Sequence, residues 1–156
     1  MSDIYVLQYR GKSAISRVIK KFTRHYHSHT AIQLPDQTVV ESWHRGGVTK
    51  VENASVNHTP DTQVDVYSVQ VDFHQQTLIN FLLDQVGKKY DMPTGFLTRS
   101  DKDADNNKWF CSELVAAAFD YVGSPLVNLP PHKISPRDIA GSVALQYRNS
   151  FYTVEQ

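Results

Sequence analysis

Phe110-Cys111-Ser112-Glu113-Leu114-Val115-Ala116-Ala117-Ala118-Phe119 holds the only cysteine of the chain at the head of an apolar run. Leu114, Val115, Ala118, Phe119 and Val122 recur at helical spacing. That predicts a helix from the cysteine to about Val122, stopped by Gly123. A helix this apolar belongs in the middle of a domain. The unpaired N–H groups of its first turn carry partial positive charge and favour a thiolate. Cys111 is therefore a candidate nucleophile, set against the plainer reading of a buried structural thiol.

Working outward from that helix, the elements alternate in type. Residues 4–9 read as a short strand, and Ser13 to Phe22 as a helix with Ala14, Ile15, Val18, Ile19 and Phe22 on one face and lysines on the other. His29–Leu34, the Pro35-Asp36-Gln37 turn and Thr38–Trp43 read as strand, turn, strand. Gly46-Gly47 predicts a second turn and Val48 to Val51 a short strand, followed by loop over residues 53–62. A strand over 64–71 has apolar residues on both faces. A helix over about 75–86, with Leu78, Ile79, Leu82, Leu83 and Val86 inward, ends at Gly87. Residues 88–108 read as loop. Ser135-Pro136 predicts an N-cap with proline in the first helical position, opening a short helix to Ala140. Val143–Tyr147 and Tyr152–Val154 read as two final strands. With no repeat or linker, residues 1–156 read as one α+β domain.

A cysteine nucleophile needs a base, and histidine is the usual one. Of seven histidines, His25, His27 and His29 stand at the entry to the first hairpin, and alternation on a strand would point them to one face. His29 heads the apolar run and is best placed to be held rigidly. A candidate orienter is Glu41, twelve residues on in the returning strand, unless it merely alternates onto the wet face. An odd-numbered turn such as Pro35 to Gln37 pairs Ala31 with Glu41 and His29 with Trp43, so Glu41 lies diagonal to His29 on the same face. A two-residue turn would separate them. A carboxylate within Val39-Val40-Glu41-Ser42-Trp43 is costly unless it is paired or faces water.

His29-Thr30-Ala31-Ile32, Glu41, then Gly87-Lys88-Lys89-Tyr90-Asp91, then Phe110-Cys111-Ser112-Glu113-Leu114-Val115, resembles the circularly permuted NlpC-like group of papain-fold proteins, nearest its YiiX/YaeF-like branch. The lecithin:retinol acyltransferase-like proteins are more distant kin. Ser135-Pro136-Arg137-Asp138-Ile139-Ala140 is similar to the group's C-terminal segment, so the resemblance spans about residues 27–140. It implies a permuted papain-like fold, an antiparallel sheet packed on a central helix that starts at the cysteine. It also implies a thiol hydrolase or acyltransferase acting on amide or ester bonds. Carried onto this chain, Cys111 is the nucleophile, His29 the base and then acid, and Glu41 the polar third member, a position that varies in the group. Tyr90 matches an aromatic beside the site and is expected to help bind the oxyanion, with ordinary packing after a helix end as the alternative.

Other constellations are weaker. His25-x-His27-x-His29 with Cys111 has donors for zinc, but nothing completes a familiar spacing, so no metal or cofactor is expected and His25 and His27 read as loop or rim. Asp101-x-Asp103-x-Asp105 starts like a calcium loop, yet the twelfth position is Ser112 and the eighth Lys108, so the bidentate glutamate is missing. That stretch reads instead as a loop bordering the cysteine and gating the cleft. Trp43 and Trp109 read as core aromatics or a substrate wall, and His44, His58, His74 and His132 receive no role.

Net charge is zero, but between Ile4 and Pro35 there are six basic residues and no acidic one. Such a segment faces an anionic substrate group or lipid, or is simply a solvated face, and weak membrane-surface contact is compatible with it. Nucleic acid is not expected. No apolar run approaches the ~20 residues of a span, and the first residues lack a signal-peptide pattern. One cysteine then predicts a reducing, cytoplasmic setting. The expected activity is a cysteine peptidase or amidase acting on a small peptide, amide or lipid ester. A non-catalytic binding module using the same cleft and a zinc-binding structural protein are the alternatives.

Overall fold

A computed structural model describes residues 3–92 and 107–156. Its centre is a six-stranded sheet in the order β4-β3-β2-β1-β5-β8, antiparallel throughout. The strands are β1 (Tyr5–Tyr9), β2 (His29–Gln33), β3 (Val39–Trp43), β4 (Gly47–Val51), β5 (Gln63–Val69) and β8 (Leu145–Tyr152). A small parallel pair joins β6 (Lys89–Tyr90) to β7 (Lys108–Trp109). The helices are α1 (Ala14–Thr23), α2 (Gln75–Gln85), α3 (Cys111–Tyr121) and α4 (Pro136–Ala140).

The sheet is apolar on both faces because neighbouring residues of its inner strands serve different cores. Ile4, Val6, Ile32, Val40 and Val48 join Leu78 and Leu82 of α2 and Leu114, Val115, Ala118 and Phe119 of α3. Leu7, Tyr9, Ala31, Val39 and Val64 make a second cluster. The expected α+β arrangement, an antiparallel sheet packed on the helix that opens at Cys111, is present.

Several expectations need correction. The two C-terminal strands are one strand, β8, carried through a register shift opposite Val66/Tyr67. Such a bulge lets a strand continue across residues that break its alternation. Residues 88–108 are not loop throughout: β6 and β7 form where β4 approaches, with Val48 N–H donating to the Lys88 carbonyl at 2.8 Å. Gly47 permits that approach. Its φ is +71°, and a Cβ there would collide with the Lys88 carbonyl oxygen. The calcium-like Asp101–Asp105 stretch lies outside the described residues.

Helix α1 differs most. Ser13 caps it, accepting from the Ser16 N–H, and Arg24 ends it in the left-handed conformation. Its buried residues are Ser16, Ile19 and Thr23. Val18 and Phe22, on the expected apolar face, are 56% and 49% exposed. The inward hydroxyls of Ser16 and Thr23 are satisfied within the helix itself, by Ser13 Oγ and the Ile19 carbonyl, so their burial leaves neither unpaired.

Candidate active site

Cys111 sits at the first position of α3, so its backbone is fixed by the helix start. Glu113 reaches back to accept from the Phe110 N–H at 3.1 Å, closing the first turn. Ser112 Oγ donates to the Ile134 carbonyl at 2.6 Å, and Ser42 Oγ of β3 donates to the Trp109 carbonyl at 2.6 Å. The second bond ties the strand carrying Glu41 to the segment that delivers the cysteine.

The thiol is 1% exposed and packs with Ile19 and Phe110, flanked by Ile15 and Tyr90. Burial pushes its pKa up to about 12, against the backbone N–H groups of Thr30 and Ser112, which pull it down; the charge of Glu41 raises it further. The expected thiolate at the helix start is therefore absent at rest. Desolvation outweighs the helix N-terminus, and Cys111 is a neutral thiol. Tyr90 lies beside it, and burial together with the nearby sulfur holds the phenol well above its ordinary pKa. Its hydroxyl stays protonated, as a hydrogen-bond donor must.

The hairpin behaves as its turn predicts. Ile32 pairs with Val40 and Gln33 with Val39, and the same parity puts Glu41 on the face of Ala31 and His29. His29 Nε2 meets Glu41 Oε2 at 2.6 Å, both side chains buried. With the Nε2 proton directed at the carboxylate, Nδ1 is the ring nitrogen left to accept one. Burial lowers the pKa of His29, and Glu41 opposes that without reversing it, so the imidazole is neutral at rest. Tyr9 and Trp43 hold the ring edge-on, each at 5.1 Å between centroids.

Sequence reasoning missed His58. It lies in the loop between β4 and β5, stacks on Tyr9 at 4.0 Å, and reaches the same Glu41 Oε2 at 2.8 Å. Asn57 Nδ2 donates to Oε1 at 3.3 Å. Burial alone would push the Glu41 carboxyl up, but the hydrogen bonds from His29 and His58 bring it to about 2. The carboxylate is thus ionised and shared between two imidazoles. No periodicity marks a loop residue, so only a buried acid in need of donors hinted at such a partner.

The structure thus makes two adjacent groups of the four expected site residues. His29 and Glu41 are in direct contact, joined by His58. Cys111 and Tyr90 share the other group. Thr30 links them: it follows His29 in β2, and its backbone is near enough to the sulfur to lower the thiol's pKa. A cavity of about 450 Å³ opens alongside, lined by Ala14, Ile15, Trp43, His44 and Asn57 among others.

His25 and His27 belong elsewhere. His27, expected at the rim, is fully buried, its Nε2 2.6 Å from Asp65 Oδ2 and its Nδ1 3.1 Å from His25 Nε2. The strand begins only at His29, so the three histidines do not share a face. The zinc set of His25, His27, His29 and Cys111 does not assemble. A different set does: His29, Glu41 and His58 offer donor atoms within 4.8 Å of one another. Two imidazoles and a carboxylate suit zinc or a similar divalent ion.

A family model matches residues 6–141 and is described as a permuted papain-like amidase enzyme, YaeF/YiiX, C92 family. The chain belongs to this family. Among solved structures, the metalloprotein YiiX from Escherichia coli O157:H7 superposes with a TM-score of 0.71, at 15% identity, over 95% of this chain and 96% of that one. At that identity the likeness concerns the fold. No curated protein matches the chain. Membership of a family described as amidases supports a cysteine hydrolase in general, and no helix among the described residues is long and apolar enough to cross a membrane.

Proposed function

We propose that the chain is a cysteine amidase in which Cys111 is the nucleophile, His29 the base and then acid, and Glu41 the group that orients His29. The observation carrying this reading is the 2.6 Å contact of a buried, ionised Glu41 with Nε2 of His29, in a strand whose next residue, Thr30, lies near enough to Cys111 to lower its pKa. Because both partners are neutral at rest, the reaction starts with proton transfer. His29 Nδ1 takes the thiol proton as sulfur attacks the carbonyl carbon, and Glu41 stabilises the imidazolium. The tetrahedral oxyanion is held by the Cys111 N–H at the helix start and by the Tyr90 hydroxyl. His29 then protonates the departing amine, the C–N bond breaks, and a thioester remains. Water gives its proton to His29, its oxygen adds to the thioester carbon, and the carboxylic acid leaves as the proton returns to sulfur. An alcohol or amine in place of water would make the same site an acyltransferase.

Incubation with an acyl-amide probe, followed by intact-mass spectrometry, tests this. A covalent acyl adduct on the native chain, absent in Cys111→Ala and trapped more slowly in His29→Ala, is the expected result. Tight probe binding with no adduct on any chain would favour a non-catalytic binding module. The lone free thiol supports a reducing, cytoplasmic location.

A second reading rests on the donor set alone: His29, Glu41 and His58 fit a divalent cation, which would use the same two Nε2 atoms that now donate to Glu41. Metal binding and the triad are then mutually exclusive states of one site. Elemental analysis of native and His58→Ala protein separates them: stoichiometric metal lost in the variant supports the cation site.

A further inference from the structure

Helix α1 carries its apolar stripe on the outside. Ile15, Val18 and Phe22 stand at i, i+3 and i+7, and the last two are about half exposed. The flank beyond them is basic: Arg17, Lys20, Lys21 and Arg24 lie on or just past the helix. Among the described residues no carboxylate forms an ion pair with any of these four. Lys20 shows the crowding, its pKa lowered by burial and then by Arg10, Arg17 and Lys12. An apolar stripe beside a cationic one is the pattern of a helix lying in a bilayer interface.

The stripe also leads to the site. Ile15 lines the cleft beside Trp43 and His44, and Ile15 and Ile19 pack at Cys111. From Ile15 the apolar residues run outward to Val18 and Phe22.

We propose that α1 docks the protein on an anionic lipid surface, with Val18 and Phe22 entering the acyl region and Arg17, Lys20, Lys21 and Arg24 meeting the headgroups. A second copy of the chain is a poorer occupant, since a two-fold contact here would bring two sets of four cations together. Docked in this way, the cleft opens against the bilayer and receives an amide or ester borne by a lipid. That delivery rests on the hydrolase reading; the docking does not.

Co-sedimentation of the full chain with vesicles tests the docking, comparing phosphatidylcholine with phosphatidylcholine containing about one-third phosphatidylserine. The expected result is partitioning onto the anionic vesicles only, weakened by salt and unchanged in Cys111→Ala. The double variant Val18→Ser/Phe22→Ser should lower the partition coefficient about tenfold or more, as should Arg17→Glu/Lys21→Glu. All four side chains are exposed, and circular dichroism verifies that the variants remain folded. No partitioning onto anionic vesicles overturns the proposal. So does partitioning that ignores Val18 and Phe22, which would be plain electrostatic adsorption, and so does concentration-dependent dimerisation abolished by Phe22→Ser without vesicle binding. If docking holds but no probe acylates Cys111, the hydrolase reading fails alone.

Discussion

Cys111 and His29 show how burial sets the chemistry of a residue that motif and position would assign differently. A helix start favours a thiolate, yet packing by Ile19, Phe110 and Tyr90 lifts the thiol to about 12. Iodoacetamide should therefore label Cys111 slowly at pH 7. Labelling should speed up about tenfold per pH unit as the thiolate fraction grows. Rapid, pH-independent labelling near neutrality, followed by mass spectrometry, would contradict the buried neutral thiol. Around the base, the roles separate by size of effect. His29→Ala removes proton transfer itself and should lower kcat/KM by roughly 10²–10⁴-fold. His58→Ala removes one charge-assisted donor to Glu41, so the loss should be nearer about tenfold. The charge of His58 is also one of the causes that lower the His29 pKa, so its loss lets the pKa of the base rise. The acid limb of the activity profile should then move to higher pH in His58→Ala, a shift that a purely structural defect would not produce.

Among the elements, the hairpin of β2 and β3 was legible because a turn of odd length fixes parity, and parity alone puts Glu41 on the face of His29. The cysteine helix was legible because its apolar repeat is strong and Gly123 stops it, with a φ of +77°. The inner face of α1 was not legible. Periodicity reports an apolar stripe but not which side meets the core, and here local partners at Ser13 and Ile19 let Ser16 and Thr23 be buried at no polar cost. His58 and the His27–Asp65 pair were hidden for another reason: both contacts join residues distant in the chain, 17 and 38 positions apart, with no local signal. The contact of β4 with β6 yields a test at this scale. Gly47→Ala would place a Cβ against the Lys88 carbonyl at a positive φ, so either β6 moves or the strand bends. The variant should lose about 1–3 kcal/mol in urea unfolding. It should also disturb Tyr90, which shares β6, more than His29. Unchanged stability would mean that the close approach of β4 and β6 is not rigid.

For the molecule as a whole, two buried imidazole–carboxylate pairs on different strands make stability depend on pH in two steps. The His27 pKa falls to about 4, because burial disfavours its cation more than Asp65 restores it. His29 is lowered as well. A histidine whose folded pKa lies below the unfolded 6.5 stabilises the fold fully above that value. The contribution shrinks as pH falls toward the folded pKa, because the unfolded chain binds the proton first. Asp65 and Glu41 act lower down. Burial raises both, but Ser150, His27, Gln63 and Arg10 hold Asp65 near 2, and the two histidines do the same for Glu41. Their contribution is present above the ordinary carboxyl range and is lost between about 4 and 2. Melting followed by calorimetry should therefore show Tm flat from pH 8 to about 7. It should fall between about 6.5 and 4, by roughly 2–4 °C for each kcal/mol lost, and then fall again below 4. His27→Gln lacks one titrating group, so its first decline should be shallower than that of the native chain even if the variant starts less stable. A native Tm that stays level from pH 7 to 4 would mean that these imidazoles are not buried in neutral form.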